Sequence, residues 1–251
     1  MSCVIVIPTY NEAESVPVLI EQIQARLPEA DVLIMDDSSP DGTAVIAERL
    51  FASRPEYARH RVICRTGPRG LGRAYCDGFQ RALDAGYDRI LQMDADLSHD
   101  PKYLPDLLAG SDQADLVVGS RYCPGGGVQD WPLHRILLSR FAGAYVRAVT
   151  GIRIADPTGG FRCWTRRALQ QIDLPTLQSE GYSFIVEMAF RASRAGMRVV
   201  EVPIVFTDRR YGQSKMSTRV MLESVRMPLR LRRIGFAARA TEVAATNAPG
   251  D

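Results

Sequence analysis

Cys3-Val4-Ile5-Val6-Ile7-Pro8 is an unbroken apolar run that stops at Thr9-Tyr10-Asn11-Glu12, and Val32-Leu33-Ile34-Met35 stops the same way at Asp36-Asp37-Ser38-Ser39-Pro40-Asp41-Gly42. Short runs without polar alternation read as strands covered on both faces, which is the signature of a parallel sheet. Between them Val16, Leu19, Ile20, Ile23 and Leu27 recur at helical spacing, with Asn11 placed to cap. The pattern repeats outward from this pair: helix Thr43 to Phe51, strand Val62 to Cys64, helix Leu71 to Ala85, strand Ile90 to Met93, a short helix near Tyr103 to Leu108, strand Leu116 to Gly119. Repeated strand–helix units predict an α/β fold with a mainly parallel central sheet, helices on both faces and right-handed crossovers.

Ligands in such sheets bind where the carboxyl ends of the strands open into loops. That rule points to Pro8–Glu12, Met35–Gly42 and Asp94–His99, each polar and turn-rich directly after a strand. The dinucleotide fingerprint is absent, because Tyr75 stands where its third glycine is needed, and no phosphate-loop motif occurs. Beyond Gly119 the pattern is less regular. Tyr122 to Trp131, with Gly125-Gly126-Gly127, reads as a mobile loop before an amphipathic helix from about Leu133 to Val149. A turn at Asp156–Gly160, a helix near Phe184 to Ala195 and a β segment Arg198 to Phe206 follow.

With 251 residues, 46% of them hydrophobic and 24% charged, the chain fits one compact domain or two small ones. A net charge of +2 argues against a nucleic-acid binder. The near-neutrality hides an asymmetry: between Arg209 and Arg239 nine basic side chains face one acid, Glu223, which suggests an anionic partner such as phosphate or a membrane surface. No stretch approaches the roughly 18 to 20 apolar residues of a membrane span. Cys3 to Pro8 lacks the basic flank of a secretory signal, so a cytoplasmic setting is expected. Five scattered cysteines without a C-x-x-C read as reduced thiols, and three distant histidines make a zinc cluster a poor fit.

Asp94 and Asp96 follow Ile90-Leu91-Gln92-Met93. At the end of that strand, period-two geometry puts both side chains on one side, with Cβ atoms roughly 6 to 7 Å apart. Two carboxylates at that spacing suit Mg²⁺ or Mn²⁺, whose shells are completed by water and substrate phosphate. Taken alone, a D-x-D is more often a solvated turn.

Five motifs in order change that weighting: Pro8-Thr9-Tyr10-Asn11-Glu12, Asp36 through Thr43, Met93-Asp94-Ala95-Asp96-Leu97-Ser98-His99, Gly119-Ser120-Arg121-Tyr122 and Asp208-Arg209-Arg210-Tyr211-Gly212-Gln213-Ser214-Lys215. From about residue 3 to 220 the chain resembles the family-2 glycosyltransferases, in particular those that mannosylate dolichyl or polyprenyl phosphate. The resemblance implies a GT-A fold, a GDP-mannose donor, a lipid monophosphate acceptor and a divalent metal. It places Pro8, Tyr10, Glu12, Met35 and Asp37 around the nucleotide. Asp94 and Asp96 would hold the metal, with help from Ala95 and Ser98, although some relatives have Gln at the position of Ser98. Arg209 and Lys215 would engage the donor diphosphate, and Arg121, Arg135 and Ser139 the acceptor phosphate. Asp156–Arg162 also matches a family stretch and is assigned structural work near the site; Glu187 matches too, without an assigned role.

A catalytic unit is expected over residues 1–216; the apolar residues among arginines over 217–236 read as a basic amphipathic helix suited to a membrane surface, and the Ala/Thr/Asn/Pro/Gly-rich end over 237–251 as a frayed tail. A membrane-anchoring protein partner is compatible with this, and nucleic acid is not. Two rival readings stay open on sequence: a UDP-sugar-dependent polyprenyl-phosphate glucosyl- or N-acetylglucosaminyltransferase, and a non-catalytic nucleotide-sugar-binding subunit.

Overall fold

Along β1 (Cys3–Thr9), Val4 and Val6 enter one hydrophobic core while Cys3, Ile5 and Ile7 enter another, the two-residue alternation of a strand buried on both faces. The computed structural model describes residues 1–177, 179, 181, 183–208 and 223–233. Arg209, Lys215, the ends of the 217–236 segment and the 237–251 tail lie outside the described residues.

The expected units follow: α1 (Ser15–Arg26), β2 (Asp31–Asp36), α2 (Thr43–Ser53), β3 (Arg61–Cys64), α3 (Leu71–Asp84), β4 (Arg89–Gln92), α4 (Leu104–Gly110) and β5 (Leu116–Ser120). The second half adds β6 (Gly127–Gln129), α5 (Leu133–Thr150), β7 (Arg162–Thr165), α6 (Arg166–Gln171), α7 (Ser183–Arg194), β8 (Val199–Pro203) and β9 (Val205–Thr207). The seven-stranded sheet runs β3-β2-β1-β4-β7-β5-β8, and β6 pairs with β9 in a small second sheet. Register brings Ile5 opposite Val32 on one side and Leu91 on the other. One face of the sheet is covered by α3, α6 and α7, the other by α1, α2 and α4.

Three sequence expectations are corrected. Asn11 does not cap α1: it adopts a left-handed backbone (φ 58°), and the helix begins at Ser15 without a side-chain cap. The segment 122–131, read as a mobile loop, contains β6, paired in parallel with β9 from Gly127↔Val205 to Gln129↔Thr207. Gly126 explains the fold-back, since a Cβ there would stand 2.4 Å from the Ser120 carbonyl oxygen. Finally, β7 went unread. It inserts antiparallel between β4 and β5, with Cys163 opposite both Leu91 and Val117. Its first residue, Arg162, is fully buried, and burial pulls its pKa down to about 10. The guanidinium stays charged by donating to the carbonyls of Pro157, Gly159 and Ile185 at 2.8–3.1 Å.

Close packing of α3 on β1 and β2 rests on Gly78, where a Cβ would meet Val6 Cγ1 at 2.4 Å and Met35 Cγ at 3.0 Å. Gly78→Ala is therefore expected to destabilise the fold by about 1–3 kcal/mol despite its better helix propensity. A lowered urea midpoint is the readout; an unchanged or raised midpoint would show that this contact yields without cost.

Candidate active site

The carboxyl ends of β1 and β2 are tied together before any ligand arrives. Thr9 Oγ1 donates to Asp36 Oδ1 at 2.8 Å, and the Asp36 carboxylate also accepts from Ser39 N and Oγ. The Asn11, Glu12 and Ala13 amides donate to Ser39 Oγ, Thr43 Oγ1 and Asp41 Oδ2 at 2.9–3.1 Å. Asp36 and Asp41 thus shape the loop. Asp37 instead faces the segment after β3, pairing with Arg65 and accepting the Gly70 amide at 2.9 Å. Across from it Arg69 lies 4.7 Å over the Tyr10 ring and donates to the Tyr10 hydroxyl. Glu12 Oε2 accepts the Ser15 hydroxyl at 3.0 Å. The expected nucleotide residues Pro8, Tyr10, Glu12 and Asp37 therefore share one end of the sheet. Met35 is different: its side chain is fully buried against α3, so only its backbone can face a ligand. Arg65 and Arg69 were missed on sequence; their signal was a pair of cations in a Gly/Pro turn directly after a strand.

Asp94 and Asp96 lie past the end of β4 in a turn, so strand alternation does not set their orientation. Side-chain donors do. The hydroxyl of fully buried Tyr75 donates to Asp94 Oδ1 at 2.9 Å, and Ser98 donates both its amide and its hydroxyl to Asp96 Oδ1. Ser98 thus supports the carboxylate that it was expected to join as a ligand. Ala95 is buried between the two acids. Leu97 is held left-handed at φ 61°, and Asn11 and Ser38 share that conformation after β1 and β2. Non-glycine residues of this kind cost free energy and gather at functional loops. His99 closes the turn, its Nδ1 accepting the Asp94 amide at 3.1 Å while its ring stacks on Phe161 at 4.9 Å. Burial pushes the His99 pKa down against the pull of Asp94 and Asp96, so the ring is neutral and its proton sits on Nε2.

Two oriented carboxylates are a hard-oxygen donor set that fits Mg²⁺ or Mn²⁺. Among the described residues no third acid, histidine or cysteine joins them. The remaining positions would fall to water and phosphate oxygens, as these ions prefer.

Beyond β5, Arg121 forms a buried fork with Asp156, Nε to Oδ2 at 2.7 Å and Nη2 to Oδ1 at 2.8 Å, and Nη2 also reaches Thr158. Burial would raise the Asp156 pKa, but the hydrogen bonds and charge of Arg121 outweigh it and hold the carboxyl below its ordinary range. Arg121 lies over Tyr122, Trp131 and Phe206 at 5.2–5.8 Å. From α5, Arg135 stacks on the same Trp131 at 4.0 Å and pairs with Asp208, while Ser139 accepts the Tyr122 hydroxyl at 2.7 Å. Phe206 also meets His99 and Trp131 edge-on, each at 5.4 Å. The structure thus brings Arg121, Arg135 and Ser139 into one cluster and joins it to the Asp94–His99 turn through Phe206. Tyr75, Trp131 and Phe206 carried no motif that sequence could weigh, and Tyr122 stood in the Gly119–Tyr122 motif without a role of its own.

Asp156→Asn would leave Arg121 buried without its counter-charge, at an expected cost of about 3–5 kcal/mol. In the parent chain the contribution of Asp156 holds above its ordinary pKa of 3.8 and is lost only as pH falls below it, because the folded value is depressed. Urea titrations at pH 7 check this; a variant as stable as the parent would mean that the pair carries no such weight.

The family profile described as "Glycosyl transferase family 2" matches residues 4–173. An undecaprenyl-phosphate mannosyltransferase of Micrococcus luteus is 44% identical over 239 residues, 95% of this chain and 96% of the relative. A polyprenol monophosphomannose synthase of Mycolicibacterium smegmatis is 45% identical over 214 residues, 85% and 80% of the two chains. Among solved structures, glucosyl-3-phosphoglycerate synthase from Mycobacterium tuberculosis, in complex with Mn²⁺, UDP and phosphoglyceric acid, superposes with a TM-score of 0.68 at 16% identity, over 92% of this chain and 78% of that one. That likeness establishes the GT-A architecture. Together with the strand-end loops that carry the expected motifs, the comparisons make this chain a member of glycosyltransferase family 2.

Proposed function

We propose that this chain transfers mannose from GDP-mannose to a dolichyl or polyprenyl monophosphate with inversion, giving polyprenyl-phosphate β-mannose, and that it requires Mg²⁺ or Mn²⁺. The observation that carries the reading is the juxtaposition of a cation-suited cluster, the Asp94–Asp96 turn beside the Tyr10–Asp37 loops, and an anion-suited one, the Arg121–Arg135–Ser139 group joined to it through Phe206. The names of the two mannosyltransferase relatives support mannose and a polyprenyl phosphate as the transferred group and its acceptor.

In this reading a phosphate oxygen of the acceptor attacks the anomeric carbon. The bond from that carbon to the donor's β-phosphate breaks, and its electron pair leaves with GDP. A phosphate monoester has its second pKa near ~6, so at neutral pH the nucleophile is already an oxyanion and needs no general base. The site is consistent with this, because neutral His99 spends its Nδ1 on the Asp94 amide. Arg135 and Ser139 would orient the acceptor phosphate, with Arg121 fixed beside them. Asp94 and Asp96 would hold the metal, whose role when bound is to neutralise charge on the donor diphosphate. Arg209 and Lys215 are assigned the same diphosphate by family resemblance alone.

Access to a lipid is proposed at a cytoplasmic membrane surface, with a membrane-anchoring protein as a possible partner. Among the described residues no helix is long and apolar enough to cross a membrane. Instead, α5 exposes Leu133 (70%), Leu137 (60%), Leu138 and Phe141 (69%). Leu133, Leu137 and Phe141 recur every four residues on one face, and Arg135 and Ser139 lie about 200° around the helix. Within the basic segment residues 223–233 are helical, and there Met227 and Leu231 enter the core, leaving Val225 and Leu229 exposed beside Arg226 and Arg230. Tyr145 joins the two helices by donating to the Val225 carbonyl at 2.8 Å.

Purified chain supplied with labelled GDP-mannose and a short polyprenyl phosphate is expected to yield a β-linked product by NMR. An α-linked product would refute inversion, and turnover with UDP-sugars alone would select the UDP-sugar alternative. Asp94→Asn is expected to lower kcat at least about 100-fold while leaving the fold intact; unchanged transfer would remove Asp94 from the site. Leu137→Glu combined with Phe141→Glu is expected to abolish flotation with anionic liposomes and spare transfer to a detergent-soluble acceptor. Undiminished flotation would move membrane contact elsewhere.

A further inference from the structure

Trp131 holds the centre of the cationic cluster without being assigned any part in it. Arg135 lies 4.0 Å over its indole ring and Arg121 5.8 Å, and Phe206 packs against it edge-on. Its Nε1–H is buried and, among the described residues, has no hydrogen-bond partner. An unpaired donor of this kind costs free energy and calls for an explanation. The two arginines beside it are paired differently. Arg121 holds Asp156 in a buried fork, whereas Arg135 and Asp208 are each 36% exposed and joined through a single nitrogen, Arg135 Nη1. Exposed pairs of that type exchange readily, because solvent offsets most of their attraction. An incoming phosphate offers Arg135 more oxygens and more charge than a carboxylate does.

Resting on the acceptor chemistry proposed above, we propose that Trp131 is an acceptor-site residue: its Nε1–H donates to the acceptor phosphate, and its ring holds Arg135 in place while that phosphate displaces Asp208. The ligand class is a prenyl monophosphate. Arg135 supplies the charge, Ser139 and the indole supply directional hydrogen bonds, and Arg121 stays on Asp156.

The chain provides its own probe, because Trp131 and Trp164 are its only tryptophans and Trp164 is fully buried with its Nε1 on Gln92. Titration of the full chain with farnesyl monophosphate is expected to shift tryptophan emission saturably, farnesol to leave it unchanged, and Trp131→Phe to abolish the shift. Phenylalanine keeps an aromatic platform and removes the N–H. In turnover Trp131→Phe is therefore expected to raise the acceptor KM about tenfold with donor KM unchanged, as for loss of one hydrogen bond to a charged group. Asp208→Asn is expected to lower the acceptor KM.

Emission that stays constant while turnover saturates with acceptor would overturn the proposal, as would equal rises in both KM values for Trp131→Phe. A saturable shift with farnesyl monophosphate in a chain that transfers no mannose to it would sustain the phosphate site and instead refute the transfer reaction. A shift of equal affinity with inorganic phosphate would overturn the prenyl part of the ligand class.

Discussion

The buried pair between Arg121 and Asp156 is the contact on which the arrangement of the site depends. Removing both charges from water is expensive, and the pair persists because the carboxylate is fully committed: it also accepts the Arg121 amide and the Thr158 hydroxyl. Asp156 is anchored from a third direction, since Glu201 of β8 accepts the Ala155 and Asp156 amides. The end of β5, the 156–160 turn and β8 are thereby locked as one unit. From this fixed point Arg121 presents its guanidinium to Tyr122, Trp131 and Phe206, and those rings in turn place Ser139, Arg135 and His99.

β7 makes that geometry possible. By running antiparallel between β4 and β5 it returns the 156–160 turn to the same edge of the sheet as Asp94. Gly160 sits where a Cβ would come within 3.7 Å of both His99 Cε1 and Asp94 Oδ2, and Gly159 packs under the Gly119 carbonyl. Buried Arg162 ties the turn to α7 through the Ile185 carbonyl. The structural work near the site expected of Asp156–Arg162 takes this form. Glu187 belongs to the same framework, accepting from Arg191 and from the Ser179 amide.

The first half of the fold was legible because each strand is apolar on both faces and each helix shows its period. The chemistry stood directly after the strands, so position and residue type agreed for Tyr10, Asp37, Asp94 and Asp96. In the second half α5, α7 and the β8–β9 stretch were legible as well, and the rest was not, for identifiable reasons. A four-residue strand that begins with arginine has no alternation to detect, and Arg162 is buried only because three carbonyls from distant turns converge on it. The glycine run at 125–127 signals mobility in isolation, yet its small size is what allows the chain to fold against β5. Trp131 and Phe206 are separated by long stretches of sequence, and only β6–β9 pairing brings their neighbourhoods together. Met35 shows the opposite case: its position matches a ligand site, but its side chain belongs to the core and only its backbone can face a ligand.

The central claim is that donor and acceptor phosphates meet across Phe206, with the metal held at Asp94 and Asp96. Paramagnetic broadening tests it directly. With Mn²⁺ and GDP bound to the full chain, the ³¹P resonance of farnesyl monophosphate is expected to broaden strongly, and the broadening should vanish in Asp94→Asn, where the ion is lost. A farnesyl monophosphate that binds saturably while its phosphorus resonance stays sharp in the presence of Mn²⁺ and GDP would contradict the account.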